Sequence, residues 1–313
     1  MKQQKWAGAA CLLVAAAVWG FGFVAQDLGA NHVGAFTFQA ARTLLAALAL
    51  LLLWVVRDLW RRKKGTYRPM DRRELRFLLI GGAVCGTILA TAAGLQQLGI
   101  GNNVTSPGKD AFITALYIVL VPVLSLPFGK RARPHVYLCV VAALIGLWLL
   151  CMGGSSLTLG DVQVIACSLV FACHIIAVDL FIPHVDGLRL SCLQFFVNFL
   201  LSGALMLIFE QPTAAGLSAA GGAILYSGLV SAGVGYTLQI VGQAHTPPTV
   251  ASLLMSLESV FAVLASILLL PGVPAFTARE IFGMLLIFAA IILSQLQLGR
   301  KKEGTGGRCP RPS

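Results

Sequence analysis

The sequence predicts an all-α integral membrane protein with ten transmembrane helices, arranged as two inverted five-helix repeats. Three observations predict this fold: the composition, a set of apolar runs of membrane-spanning length, and motifs that recur in the same order. Of the 313 residues, 58% are hydrophobic and only 11% are charged, and the mean hydropathy is +0.85. Because a soluble globular chain carries about 25% charged residues, this composition excludes an ordinary soluble domain.

Ten apolar runs have the length of about 20 residues that a helix needs to cross a bilayer. The first run continues to about residue 25, which is longer than the hydrophobic region of a signal peptide, so we interpret it as a transmembrane helix. The ten runs cover residues 6–26, 34–56, 75–96, 106–128, 134–152, 160–182, 188–209, 219–241, 248–270 and 279–298.

The basic residues predict the orientation of the helices. Twenty of the 23 Lys and Arg residues lie at the amino terminus, in the connections 57–76, 129–133 and 183–189, and in the tail 300–313. The opposite connections contain only Arg279. By the positive-inside rule, we expect a multi-pass protein of the cytoplasmic (inner) membrane with both termini cytoplasmic. The net charge of +11 is therefore interpreted as a topology signal and a contact with membrane lipids, and nucleic acid is not an expected partner.

The chain repeats its own pattern. A near-neutral loop at residues 153–158 divides it into a first five-helix repeat, 1–152, and a second repeat, 153–299, which a basic cytoplasmic tail, 300–313, follows. The paired features are the spacings Trp19 to Asp27 and Phe171 to Asp179, the motifs Leu95-Gln96-x-x-Gly99 and Leu238-Gln239-x-x-Gly242, and the turns Ser106-Pro107 and Thr246-Pro247-Pro248. Because five is odd, the second repeat must cross the membrane in the inverted direction. Inverted repeats are typical of secondary transporters, whose substrate site lies between the halves.

The ninth predicted helix, within residues 246–270, contains a carboxylate near its middle, Glu258. A charge at this depth costs at least about 2.5–3.5 kcal/mol, so the side chain must be shielded inside the bundle. The hydroxyls of Ser252 and Ser256 are close enough in sequence to hydrogen-bond a carboxylate. We predict that Glu258 faces a pathway and titrates with protons or contacts substrate. The alternative is a structural carboxylate that bonds a neighbouring helix.

Three further ionisable residues are candidates for the substrate or proton pathway. Arg42 lies about eight residues into the second helix, below the outer membrane surface, where its guanidinium stays charged and needs a partner. Structural pairing is the favoured interpretation, with Asp27 near the outer end of the adjacent helix as one candidate partner, and contact with an anionic substrate group is the alternative. Lys109, beside Asp110 at the start of the fourth helix, is either an outer-gate or substrate residue or a solvated helix end. His174 could titrate near neutrality, although a lone histidine in an apolar helix is more often a packing residue.

Several uncharged residues complete the candidate set. Gln239 is a polar residue inside a span, and the aromatic residues Tyr117 and Trp19 could either wall a pocket or pack in the core. Prolines mark candidate gates or hinges, and Pro122 is expected to kink the fourth helix at the position that corresponds to Glu258-Ser259 in the ninth. The gating candidates are Pro107, Pro122, Pro247 and Pro248.

No enzyme motif occurs in the sequence: a nucleophile elbow, a zinc-protease motif and a nucleotide-binding loop are all absent. The eight cysteines include no Cys-x-x-Cys pair and no ligand-type spacing with histidine. We therefore predict no catalytic residues, no metal site and no cofactor, and the absence of a nucleotide motif argues against a self-contained ATP-driven pump.

Two stretches resemble the EamA-type repeats of the drug/metabolite transporter superfamily. Residues 236–262 (YTLQIVGQAHTPPTVASLLMSLESVFA) resemble the second repeat, and residues 108–122 (GKDAFITALYIVLVP) resemble the fourth helix of the first repeat. Trp19-Gly20 is similar to the opening helix of the family. The resemblance extends over about residues 6–298. It implies ten helices around a central cavity, alternating access and traffic of small metabolites, often export. Ser259 stands where many members have proline.

Two functional hypotheses remain from the sequence. The first is a secondary transporter for small polar or amphipathic metabolites, with amino acids the favoured class and export the expected direction. In this case Arg42 and Lys109 would meet one end of a zwitterion and Glu258 the other, and protons are a candidate coupling ion. The second hypothesis is a non-transporting polytopic membrane protein such as a lipid-modifying enzyme or a scaffold. The sequence leaves substrate identity and oligomeric state open.

Overall fold

A computed structural model describes residues 2–102, 107–151, 158–270 and 277–295, and within these ranges the chain is helical with turns and no strand. The predicted repeat boundary at 152/153, the turn residue Ser106 and the tail 300–313 lie outside the described residues. The helices are α1 Lys2–Ala30, α2 Ala35–Lys63, α3 Arg72–Asn102, α4 Pro107–Thr114, α5 Tyr117–Leu124, α6 Pro134–Cys151, α7 Leu159–Phe181, α8 Gly187–Phe209, α9 Ala214–Ala219, α10 Gly221–Leu225, a π-helix Tyr226–Gly235, α11 Tyr236–Gln243, α12 Pro248–Met255, α13 Glu258–Leu269 and α14 Ala278–Gln295.

The predicted all-α membrane fold is confirmed. Eight helical segments in the described ranges are long and apolar enough to cross a membrane, and two shorter apolar helices, Pro134–Leu149 and Ile281–Leu293, occupy the predicted fifth and tenth positions. Helix α2 continues beyond its predicted apolar run to Lys63, because a helix need not end where the hydrocarbon does. Gly65, with φ of 66°, follows in the left-handed conformation that commonly terminates helices.

The fourth and ninth membrane segments are interrupted at equivalent positions. The fourth consists of α4 and α5 and the ninth of α12 and α13, and each has two residues between its halves. At both interruptions the backbone hydrogen bonds tighten to carbonyls three residues back, as in a 3₁₀ turn. These bonds run from Leu116 to Ile113 and from Ile118 to Ala115 in the fourth segment, and from Leu257 to Leu254 and from Ser259 to Ser256 in the ninth.

The equivalent interruptions correct the predicted alignment of the two segments. Every corresponding bond differs by 141 positions, so Tyr117 is the counterpart of Glu258. Pro122 lies inside α5, after the interruption rather than at it. Its counterpart is Val263, not Glu258-Ser259 as expected, because the alignment is set by the backbone turns and not by the prolines.

Two Lys–Asp ion pairs connect α7 to the fourth segment at both ends. Lys109 Nζ lies 2.8 Å from Asp161 Oδ2, and both side chains are buried. Lys130, which follows α5, pairs with Asp179 near the other end of α7. The two aspartates are 18 residues apart on one helix, or about 27 Å, which is close to the thickness of the bilayer hydrocarbon. The alternative in which Lys109 is a solvated helix end is therefore wrong, because Asp161 gives it a buried partner, and a role as an outer-gate residue stays a prediction.

Helices α2 and α8 are also joined at both ends, in a pattern that the two repeats share. Glu210, after α8, accepts hydrogen bonds from the amides of Phe36 and Thr37 at 2.9 and 2.7 Å. A carboxylate at this first turn of α2 is stabilised by unpaired amides and by the helix dipole. At the opposite end, Arg189 Nη2 donates to Asp58 Oδ2 at 2.8 Å. Glu210 lies 152 positions after Asp58, and Arg189 lies 152 positions after Thr37. The two contacts therefore join equivalent ends of α2 and α8.

Most of the bundle can be described as two parts, one tied together by these ion pairs and the other packed against it, for example where the π-helix packs on α2. The paired frame consists of α2, α3, α4, α5, α7 and α8, in which α3 packs between α7 and α8. The opposed group consists of α1, the eighth segment (α10, the π-helix and α11) and the ninth segment (α12 and α13). Helix α1 packs closely on α13: a Cβ at Gly20 would lie 2.3 Å from Phe261 Cβ, so only glycine fits there. Helices α6 and α14 pack against each other.

Removing Lys109 should destabilise the protein much more than removing an exposed partner. Lys109→Ala leaves Asp161 buried without its cation, and we expect a loss of about 3–5 kcal/mol in the free energy of unfolding. The matched control is Arg68→Ala, which removes the exposed ion pair with Glu74 and should cost less than about 1 kcal/mol. Unfolding of both variants in detergent measures the difference, and equal stabilities would contradict a structural role for the buried pair.

Candidate functional site

A central cavity of about 40 Å³ lies between the paired frame and the opposed group. This volume is the space open to the centre of a water-sized sphere, of which one water needs roughly 10–15 Å³. The cavity therefore has room for a few waters but not for a metabolite. Both repeats contribute to its lining, which combines aromatic, amide and charged side chains. The lining residues are Trp19, Phe23, Gln26, Arg42, Gln96, Thr114, Tyr117, Phe171, Ile175, Ser231, Tyr236, Gln239, Met255 and Glu258.

Glu258 faces this cavity and is hydrogen-bonded to its counterpart in the other repeat. The hydroxyl of Tyr117 donates to Glu258 Oε1 at 2.9 Å, and both residues are only 4% exposed. Tyr117 is the first residue of α5 and Glu258 the first of α13, so both stand where an interrupted helix begins again. The start of a half-helix favours negative charge, which helps to hold a carboxylate at this depth. The interruptions therefore bring the two side chains together.

Arg42 is a buried cation held by neutral side chains. Its Nε donates to Gln39 Oε1 at 2.6 Å and its Nη1 donates to Gln26 Oε1 at 3.1 Å. The predicted pairing with Asp27 is wrong: Arg42 makes no ion pair with any described residue, and Asp27 is half-buried elsewhere on α1. Adjacent helical residues point about 100° apart, so Gln26 faces Arg42 and Asp27 does not. An unneutralised buried charge is costly to keep.

An aromatic wall closes the cavity on the side of the opposed group. The rings of Trp19 and Tyr236 lie 4.8 Å apart between centroids, and Phe195 packs edge-on against Tyr236 from outside the lining. Trp19 Nε1 donates to the backbone carbonyl of Ser231 at 3.1 Å. Ser231 belongs to the π-helix, a wide and uncommon turn that often occurs at functional sites.

Amide side chains add hydrogen-bonding groups to the lining. Gln239 is 2% exposed, and its Oε1 has no hydrogen-bond partner within the part of the chain that the structure describes. Buried polar atoms are usually paired, so an unpaired acceptor beside a cavity is available to a ligand. Gln96 Nε2, by contrast, donates to Thr114 Oγ1 at 3.1 Å.

Two predicted pathway residues lie outside the lining. His174 is fully buried, 3.1 Å from Gln194 Oε1 through Nε2, and its ring meets Tyr236 edge-on, so it stands behind the cavity wall. Lys109 is engaged by Asp161. Five of the seven predicted pathway residues, namely Trp19, Arg42, Tyr117, Gln239 and Glu258, do line the cavity.

The predicted hinge prolines lie at the starts of helices, or within a helix in the case of Pro122. Pro107 is the first residue of α4, Pro248 the first of α12, and Pro247 immediately precedes α12. The interruptions of both segments lie about two turns further along. A gating role for these prolines, and for Pro122 in α5, stays a prediction.

Sequence reasoning missed part of the lining. Gln26 carries no charge, whereas the neighbouring Asp27 does, so charge pairing alone favours Asp27 as the partner of Arg42. Thr114 and Met255 directly precede the two interruptions, which have no proline or glycine at the turn to indicate them. Ser231 lies in a glycine-containing stretch whose π-helical conformation has no recognised sequence signal. Across the described ranges, no group of three His, Cys, Asp or Glu residues is placed to hold a metal ion.

Comparison with known proteins agrees with this architecture. The model of the EamA-like transporter family matches residues 6–152 and again residues 158–296. An uncharacterized transporter of Archaeoglobus fulgidus is 26% identical over 299 residues, which cover 92% of this chain and 85% of the relative. A protein of known crystal structure superposes with a TM-score of 0.70 at 15% identity, over 92% of this chain and 96% of that one, and this likeness shows the shared fold. The two family matches together span nearly the whole membrane region, and the chain belongs to the EamA-like transporter family.

Proposed function

We propose that this membrane protein is a secondary transporter that moves small zwitterionic metabolites, with amino acids the first candidates, by alternating access through the central cavity. One observation carries the proposal. Arg42 and Glu258 line the same cavity, and neither has a partner of opposite charge among the described residues. Buried charges are normally paired, so a ligand that brings both charges satisfies two needs at once.

The chemistry of the lining fits such a ligand. A guanidinium has a planar fork of donors that matches a carboxylate, and the carboxylate of Glu258 matches an ammonium group. The aromatic wall of Trp19 and Tyr236 offers apolar surface to the rest of the molecule and favours a nearby cation. Lys109 has no part in this arrangement, since its ammonium bonds Asp161.

The small volume of the cavity implies movement during transport. Within the described residues, ion pairs join helices of the paired frame. The side-chain hydrogen bonds that connect the opposed group to the frame there have at most one charged partner. Examples are Gln243 Nε2 to the carbonyl of Ile175 at 2.9 Å and Ser259 Oγ to the carbonyl of Ala111 at 3.0 Å. Such bonds exchange with water more readily than buried ion pairs do. The opposed group therefore moves against the frame to open the cavity to either side.

The direction and the driving force belong to the same proposal. The basic connections stand on the cytoplasmic side, both termini are cytoplasmic, and the expected flux is export. Glu258 is the proposed proton carrier, because it is the one carboxylate that lines the cavity within the described residues. Its exchange of a proton for the ammonium group of substrate would couple the two fluxes.

Counterflow in proteoliposomes tests transport itself. Proteoliposomes that contain the purified protein and are preloaded with an unlabelled neutral amino acid should accumulate the same amino acid in labelled form. A carrier exchanges external for internal substrate without a net driving force. Control liposomes without protein should accumulate none. Failure to exchange any member of a panel of neutral, acidic and basic amino acids contradicts the proposed substrate class. It would favour a scaffold or a lipid-modifying enzyme.

Glu258→Gln should make the counterflow rate independent of pH while the protein still reaches the membrane. Glutamine keeps the shape and can accept the hydrogen bond of Tyr117, but it cannot bind or release a proton. Rates measured at several pH values report the change, and Glu74→Gln, an exposed carboxylate outside the cavity, is the control that should keep the wild-type profile. Wild-type rates in Glu258→Gln at every pH would refute its role.

A cross-link between the two parts should stop transport. A Cβ at Gly187 of α8 would lie 4.0 Å from Cβ of Ile240 in α11, within the range of a disulfide. We expect the oxidised double variant, Gly187→Cys with Ile240→Cys, to lose at least about tenfold of its counterflow rate, which corresponds to roughly 1.4 kcal/mol. A reductant should restore the rate, and each single variant is a control. Full activity in protein whose cross-link is verified by mass would show that the two parts do not separate.

A further inference from the structure

We infer that Gln26 and Gln39 form a neutral amide cradle that makes the cavity selective for a carboxylate group, with Asn198 as a positioning residue for the cradle. This inference rests on the proposed function and adds which chemical group of the substrate is recognised and why. The cradle belongs to the first repeat, since Gln26 and Gln39 come from α1 and α2, and its positioning residue Asn198 comes from α8 in the second repeat.

The orientation of Gln39 is fixed by a chain of hydrogen bonds across the repeats. Its Nε2 donates to Asn198 Oδ1 at 3.2 Å, and the same oxygen accepts a bond from Ser202 Oγ at 2.9 Å. With its NH2 group engaged, Gln39 has only its oxygen left for Arg42, which it meets at 2.6 Å. Gln39 and Asn198 are both fully buried, so no solvent competes for these bonds.

Gln26 holds the guanidinium from the other side. Its side-chain oxygen accepts a bond from Arg42 Nη1 at 3.1 Å, and its backbone carbonyl accepts one from Gln97 Nε2 at 3.1 Å. The two amide oxygens thus use two of the five donors of the guanidinium and fix its plane. Arg42 also lines the cavity, where a ligand can reach its remaining donors.

Amides hold this guanidinium without neutralising it, whereas two other buried or half-buried arginines of the chain have carboxylate partners. Arg189 donates to Asp58 at 2.8 Å and Arg57 to Asp186 at 2.9 Å, so each of these structural arginines has a carboxylate of its own. A carboxylate at position 26 or 39 would serve Arg42 in the same way and leave no charge for a ligand. The choice of glutamine at both positions keeps the cation available to an incoming carboxylate.

The direct test supplies the missing carboxylate from the protein. In Gln39→Glu, an oxygen stands where Gln39 Oε1 now bonds Arg42 and forms an internal ion pair. Thermal-shift titrations of purified protein compare neutral L-amino acids with their carboxyl amides, such as L-leucine with L-leucinamide. We expect wild type to bind the amino acid at least about tenfold more tightly than the amide, and Gln39→Glu to lose most of this ratio.

Two further variants separate the cradle from a general effect of burying charge. Gln26→Glu approaches Arg42 from α1 and should reduce the same ratio even if Gln39→Glu folds poorly. Gln243→Glu is the matched control: Gln243 is buried at 3% exposure, lies outside the cavity lining and bonds the carbonyl of Ile175, so the ratio should stay at the wild-type value. Asn198→Leu frees the amide of Gln39 and should lower the ratio in the binding titration, which a merely structural role would not do.

Each outcome decides between the two proposals. Equal binding of amino acid and amide by wild type, or an unchanged ratio in both glutamate variants, overturns the cradle while leaving transport intact. Selective binding without counterflow overturns transport and leaves the cradle standing. No binding of any amino acid or amide by wild type contradicts both.

Discussion

The hydrogen bond from Tyr117 to Glu258 is the contact on which the central site depends. It joins two residues that open the second halves of interrupted helices, at equivalent positions of the two repeats. Without the interruptions, a carboxylate at this depth would lack a half-helix start and a hydroxyl partner from the other repeat. The break in each helix, the burial of the charge and the position of the cavity are therefore one arrangement.

Charge placement then separates stability from recognition. Ion pairs lie in the paired frame, where Asp161 holds Lys109 and Asp58 holds Arg189, and they tie helices together near their ends. At the cavity, the partners of charged groups are neutral: amides for Arg42 and a phenol for Glu258. A buried charge with only neutral partners can still be stabilised by a ligand of opposite charge, whereas a charge that is already paired inside the protein gains little from one.

Much of the fold could be predicted from the sequence because each span must hydrogen-bond its own backbone polar groups within the bilayer, which favours long apolar helices. Hydropathy therefore indicates the spans, and the recurring motifs indicate the repeats. Glu258 could be predicted as a cavity residue because a lone charge in a span has few other tolerable places. Partners could not be predicted in the same way. Gln26 rather than Asp27 faces Arg42 because of helix rotation, and Lys109 is buried because Asp161 reaches it from another repeat, and both facts depend on packing between helices far apart in sequence.

In the proposed transport cycle, one ligand spans Arg42 and Glu258. A structure of the protein with a bound neutral amino acid, chosen as the one that shows the strongest counterflow, measures this most directly. We expect the ligand carboxylate within hydrogen-bond distance of the Arg42 guanidinium and the ligand ammonium within hydrogen-bond distance of a Glu258 oxygen, in a cavity that has expanded beyond its present 40 Å³. A ligand bound in the cavity without touching either residue, or bound elsewhere in the protein, would contradict it.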